Sequence, residues 1–146
     1  MQNIDKTSLL EKINAYNKNT LMETLEIEFV EIGDDYLKAK MPVNPRVHQP
    51  MGLLHGGANL ALAESVGSCA SILFVDVTKF DIRGIEISGT HVKSKREGTV
   101  YATAKLVHKG RTLHLFEINI TDENDQLISK CKLTNIILPK RNETKL

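Results

Sequence analysis

Between His48 and Val75 the chain reads HQPMGLLHGGANLALAESVGSCASILFV, and this stretch constrains the fold more than any other. Apart from Glu64 it has the pattern of a helix made of small and apolar residues. Ala58, Ala61, Ala63, Ser65, Gly67, Ser68, Ala70 and Ser71 recur along it. A helix that is apolar over most of its circumference has to be buried. The small side chains allow a sheet to approach closely. Gly67 within a helix costs about 1 kcal/mol relative to Ala, and close packing is the reason to expect it there. The rest of the chain is therefore expected to surround this helix.

The remaining sequence supplies strands for that purpose. RGIEISGTHVKS, TVYATAKLVH, TLHLFEINI and LISKCKLTNIIL alternate with period two, separated by the turn sequences KREG, KGR and TDENDQ. Val100, Ala102, Ala104 and Leu106 alternate with Tyr101, Thr103, Lys105 and Val107, as in an antiparallel sheet with one covered face. Upstream, LEIEFVEIGDDYLKAKMPV reads as two strands around Gly33-Asp34. TSLLEKINAYNKNTLM reads as a short outer helix through Leu9, Leu10, Ile13 and Leu21, with Thr7 or Ser8 as its cap and Glu11 in its first turn. Pro42, Pro45 and Pro50 mark a loop without regular structure. The expectation is an α+β chain with a curved antiparallel sheet of five to six strands around one long central helix. Four of the strands form a C-terminal meander. One domain spans residues 1–146, with a helix in 1–20 and a frayed polar tail at 140–146.

Charge and cysteine usage narrow the function classes. A net charge of +1 offers no global attraction to nucleic acid. The longest apolar run, Ala70 to Val75, is too short for a bilayer, and the charged N-terminus does not read as a signal peptide. Cys69 and Cys131 lack metal-type spacing and are expected as buried reduced thiols in a cytoplasmic protein. His48 and His55, like His108 and His114, have no zinc-type spacing, so no metal is expected.

The chemistry points to Glu64. A buried carboxylate needs a partner, a cleft or a raised pKa, and positions 60, 61, 67 and 68 offer no cation. Ser68, one turn on, is the polar neighbour at i+4. An edge position facing solvent, or a pair with a distant strand cation, is the bland alternative. Gly56 and Gly57 stand where the helix begins. Unpaired amides and partial positive charge at a helix start suit a developing oxyanion. Gly57 and Glu64 are about 10 Å apart along a helix axis, too far to meet one carbonyl. Two antiparallel copies of the helix would bring one copy's start to the other's Glu64, which predicts a homodimer with interfacial sites.

HQPMGLLHGGANLALAESVGS followed by GIEISGTHVKSKREG resembles the hotdog-fold acyl-CoA thioesterases. The subgroup is that of the phenylacetate-pathway, Arthrobacter-type 4-hydroxybenzoyl-CoA and 1,4-dihydroxy-2-naphthoyl-CoA thioesterases, and the resemblance runs from about Leu21 to Leu138. It implies the hotdog fold, a dimer often paired into a tetramer, and hydrolysis of an aromatic or medium-chain acyl-CoA. Coenzyme A is then part of the substrate, and no cofactor is implied. Glu64 matches the nucleophile or general base. Gly57, or else Gly56, matches the amide that polarises the carbonyl. Gln49 and His55 match the orienting side chains, and Ser68 the assisting hydroxyl.

The phosphates of coenzyme A call for local cations. His91, Lys93, Ser94, Lys95 and Arg96 form one candidate cluster; His108, Lys109 and Arg111, with Gly110 allowing close approach, form another. Gly84, Val92, Thr112 and Leu113 flank them and complete the expected acyl-CoA contacts. The alternative for these charges is a solvated strand edge. Two other functions compete: a hotdog hydratase or dehydratase on acyl thioesters, and a non-catalytic acyl-CoA-binding module. HQPMG followed by HGG, rather than an HFPG-like stretch, favours the thioesterase.

Overall fold

The computed structural model describes residues 5–141. The element order is α1 (Lys6–Ala15), α2 (Leu21–Thr24), β1 (Glu28–Ile32), β2 (Tyr36–Val43), α3 (Gly56–Ala70), β3 (Phe80–His91), β4 (Gly98–Lys109), β5 (Leu113–Thr121) and β6 (Leu127–Pro139). The six strands form one antiparallel sheet in the order β1-β2-β4-β5-β6-β3. This is the hotdog arrangement, with α3 as the central helix.

The expected four-stranded meander is corrected by this order. Of those four strands, only β4, β5 and β6 follow one another as neighbours. β3 lies on the far side of β6, pairing Phe80 with Pro139 through to His91 with Ser129. Period two marks β3 as a strand but carries no information about which neighbour it takes. The proline segment is also more regular than expected. Pro42 lies within β2 opposite Thr99, beyond the stretch paired with β1, and Pro45–Val47 form a 3-10 turn capped by Asn44. A missing N–H costs nothing on an unpaired strand side.

α3 packs on the sheet through Leu62, Ala63, Val66, Gly67 and Ala70. Leu37, Ala39 and Met41 of β2, Val100, Ala102 and Ala104 of β4, Phe116, Ile118 and Ile120 of β5, and Leu133 of β6 are fully buried. A Cβ added at Gly67 would stand 2.6 Å from Leu133 Cδ2 and 3.1 Å from Ile118 Cδ1, which is why glycine stands at this contact. The helix ends in a 3-10 turn at Ser71–Leu73, short of Val75.

The outer helix differs from expectation in its cap and length. Asp5, not Thr7 or Ser8, caps α1, accepting from the Thr7 amide at 3.1 Å. A second short helix, α2, follows. Asn14 exchanges two hydrogen bonds with the Phe29 backbone, at 2.8 and 2.9 Å, and so docks α1 on β1. Of the expected tail, residues 142–146 lie outside the described residues. Among those described, no helix is long and apolar enough to cross a membrane.

β3 is a twelve-residue edge strand whose residues are all half-buried or exposed, Ile85 at 55%. An edge of this length is ordinarily shielded.

Candidate active site

The chain enters α3 through a tight turn. Gly52 has φ +73, the left-handed region open to glycine. The Gln49 side-chain oxygen accepts from the Met51 amide. The Leu54 amide donates to the Lys95 carbonyl at 2.7 Å, tying the turn to the β3–β4 crossover. His48 is part of this scaffold: its Nε2 bonds the Arg96 carbonyl at 2.7 Å.

His55 caps the helix, its Nδ1 accepting from the Gly57 amide at 2.8 Å. The donor expected to polarise a carbonyl is thus held by the neighbouring ring, and a ligand would have to displace that ring to use it. His91 stands over Gly56: a Cβ there would meet Nε2 at 2.5 Å, so only glycine leaves room for the imidazole. A cleft of about 320 Å³ opens here, with Gln49, Leu54, Gly56, Asn59 and His91 in its wall.

Glu64 is exposed in the single chain, and this corrects the expectation of a buried carboxylate. Among the described residues no cation pairs with it. The helix face bearing Gly57 and Glu64 points away from the chain's own sheet core. Gly84 leaves space for the carboxylate, since a Cβ there would lie 3.1 Å from Glu64 Oε1. Ser68 is half-buried one turn on.

The two basic segments are not brought together. β4 runs between them for twelve residues, roughly 35–40 Å of extended chain. His91, Lys93, Ser94, Lys95 and Arg96 flank the start of α3. His108 to Leu113 turn at the other end, where Ser71 Oγ meets His114 Nδ1 at 3.0 Å. Lys93 bonds Gln126, Lys95 pairs with Glu123 at 2.5 Å, and Arg96 reaches the Met51 carbonyl at 3.4 Å. Lys95 and two backbone amides, its own and that of Thr99, pull the Glu123 carboxyl down to about 2. His108, Lys109 and Arg111 are exposed. Val92 and Ser94 line the cleft; Thr112 and Leu113 stay exposed in the far turn.

Sequence reasoning missed two buried polar chains. In one, Asn59 Nδ2 donates to Ser129 Oγ at 3.0 Å and Ser129 Oγ bonds His91 Nδ1 at 2.8 Å. In the other, Asn135 donates to the Gly67 carbonyl at 3.0 Å and to Ser71 Oγ at 2.8 Å, and Ser71 reaches His114. Burial lowers the His114 pKa, and Lys109 and His108 add to the effect. The signal was present in β6, where Ser129 and Asn135 fall in the inward register with Cys131, Leu133 and Ile137. Both cysteines are free, Cys131 buried and Cys69 half-buried, with burial pushing their thiols up to about 11 and about 12. Among the described residues no group of three or more His, Cys, Asp or Glu could hold a metal ion.

A hotdog sheet around a small-residue helix with a cleft at its start defines a class of enzyme. The chain belongs to the Thioesterase superfamily, whose family model matches residues 51–129. It is 43% identical over 129 residues to the 1,4-dihydroxy-2-naphthoyl-CoA hydrolase of Escherichia coli strain K12, covering 88% of this chain and 94% of that protein. It is 41% identical over 129 residues to the proofreading thioesterase EntH of Cronobacter turicensis, covering 88% and 93%. The crystal structure of a variant of thioesterase PA1618 from Pseudomonas aeruginosa aligns with a TM-score of 0.88 at 40% identity, over 90% of this chain and 94% of that one. The chain is accordingly a thioester hydrolase.

Proposed function

We propose that this hydrolase cleaves an acyl-CoA with an aromatic or medium-chain acyl group, and that its site forms between two antiparallel copies. Glu64 of one copy acts as nucleophile or general base; the helix start of the other, at Gly57 and Gly56, polarises the thioester carbonyl. Gln49 and His55 orient the substrate, and Ser68 assists Glu64. The observation that carries this reading is the separation, on one chain, of the helix-start cleft from a Glu64 lying on an uncovered helix face beside an uncovered edge strand. Pairing two copies along β3 would cover Glu64. It would also bring the 108–113 turn of one copy towards the 91–96 segment of the other, giving one coenzyme A both cation clusters. Free thiols suit a cytoplasmic setting.

The relatives support the substrate class, since one of them carries the name of an aromatic acyl-CoA hydrolase. Free-thiol release from a panel of acyl-CoAs, spanning benzoyl, naphthoyl and straight-chain groups, tests the reading. It fails if none turns over.

The assembly has its own test. Ile85→Glu places charge on the exposed face of β3, and like charges would then face each other across the pairing. The expected result by sedimentation is a shift from dimer to monomer. Thiol release should fall by about 100-fold or more, because each half-site loses the donors that act on the developing charge. A monomeric Ile85→Glu protein with unchanged turnover would sink the interfacial site.

A further inference from the structure

We infer that Asn59 and Ser129 are positioning residues which fix His91 as a hydrogen-bond donor to the departing thiolate; this rests on the reading that the cleft takes a thioester. Asn59 is 3% exposed and Ser129 fully buried. Ser129 and His91 are opposed across β6 and β3, so the sheet itself sets their contact.

The donor–acceptor logic assigns the imidazole proton. Ser129 Oγ already receives the Asn59 amide hydrogen at 3.0 Å. A serine oxygen could accept a second hydrogen, but the buried hydroxyl hydrogen would then lack an acceptor. Among the described residues His91 Nδ1, 2.8 Å away, is the acceptor within reach, and we assign the hydrogen to it. With Nδ1 accepting, the ring carries its proton on Nε2. That nitrogen stands over Gly56 in the cleft wall, beside Gln49. Among the described residues Asn59 Oδ1 is buried and finds no hydrogen-bond partner. An orphaned buried oxygen is costly, so this chain of bonds is better suited to holding a ring than to maximising stability.

The chemistry balances without a proton leaving His91. Water gives a proton to Glu64 and its oxygen to the carbonyl carbon. As the adduct collapses the C–S bond breaks and its electron pair goes to sulfur. Nε2–H stabilises the thiolate, which takes up one proton from solvent as the protonated Glu64 releases one to it, restoring the carboxylate. Where Glu64 attacks directly, the same donor serves the first C–S cleavage.

Leaving-group dependence separates this role from a structural one. The acyl group that the panel selects is presented on coenzyme A and on 4-nitrothiophenol, whose thiolate needs little stabilisation. His91→Phe should lower kcat about 100-fold with the coenzyme A ester and less than about threefold with the nitrothiophenyl ester. Ser129→Ala should show the same split, about tenfold against twofold, with KM within about twofold; Ser129→Thr should restore the coenzyme A rate to within about threefold. Should Ser129→Ala not fold, Ser129→Cys, nearly isosteric and a weak donor, should show the same split. Equal losses with both esters, or an unchanged Ser129→Ala rate, would overturn the inference while leaving the hydrolase reading intact. Absence of thiol release by the unsubstituted protein would instead remove the substrate reading, and this assignment with it.

Discussion

Glu64→Gln is expected to lower thiol release by about 10²–10⁴-fold, with acyl-CoA binding changed little. The substitution keeps the size of the side chain and removes both its basicity and its nucleophilicity. Because Glu64 is exposed on the single chain and unpaired among the described residues, the swap breaks no contact that holds the fold. Thermal unfolding should therefore be nearly unchanged, and loss of rate cannot be ascribed to loss of structure. Stopped-time thiol assays beside calorimetric binding check both halves. Turnover like that of the unsubstituted chain would end the assignment of Glu64. Single turnover in heavy-oxygen water then separates the two chemistries: label entering the Glu64 carboxylate marks direct attack.

Phe116→Ala is expected to cost about 3–5 kcal/mol, a large share of the roughly 5–15 kcal/mol that holds a domain together. Phe116 is fully buried under α3, its ring centroid 6.4 Å from those of both Phe74 and His114. The ring links the core to the polar chain at the end of the helix. Neighbouring Ile118 and Leu133 already pack against Gly67, so the backbone there has little freedom to collapse into the void. Urea unfolding should show a much lower midpoint with the slope preserved. A loss below about 1 kcal/mol would mean that the helix and sheet are less tightly locked than their contacts indicate.

The architecture was legible because its dominant signals are local. The small residues from Ala58 to Ala70 define a helix that must be covered, and the alternation from Val100 to Leu106 defines a strand with one inner face. Strand order was not legible: β3 and β6 pair residues far apart in the chain, from Phe80 with Pro139 to His91 with Ser129, and nothing in either sequence names the other. Gly56 and Gly57 open the helix as the sequence indicated, and Gln49 and His55, which the resemblance singled out, stand beside them. The environment of Glu64 was misjudged for a clear reason. Apolar neighbours at Leu62 and Val66 look like burial, yet these two share the face packed on the sheet, and Glu64, two residues from each, falls on the opposite side and is exposed on the single chain. The two cation clusters were legible as separate segments, but that they stand at opposite ends of one chain follows only from the twelve extended residues of β4 between them. Asn59 and Ser129 escaped notice because a hydroxyl or amide in an apolar register gains its meaning only from the side chain across the sheet.

The placement of β3 at the far edge has a consequence for biosynthesis. During translation, residues 80–91 leave the ribosome well before residues 127–139, the one strand among the described residues that they pair with. Until then α3 lies uncovered on that side, and His91 has no Ser129 to hold it. Closure of such distant pairs is slow, so the nascent molecule passes through an interval with an open apolar helix and an unpaired β-edge. A variant that weakens β6 would lengthen that interval, and its first symptom would be aggregation during synthesis rather than a slower enzyme.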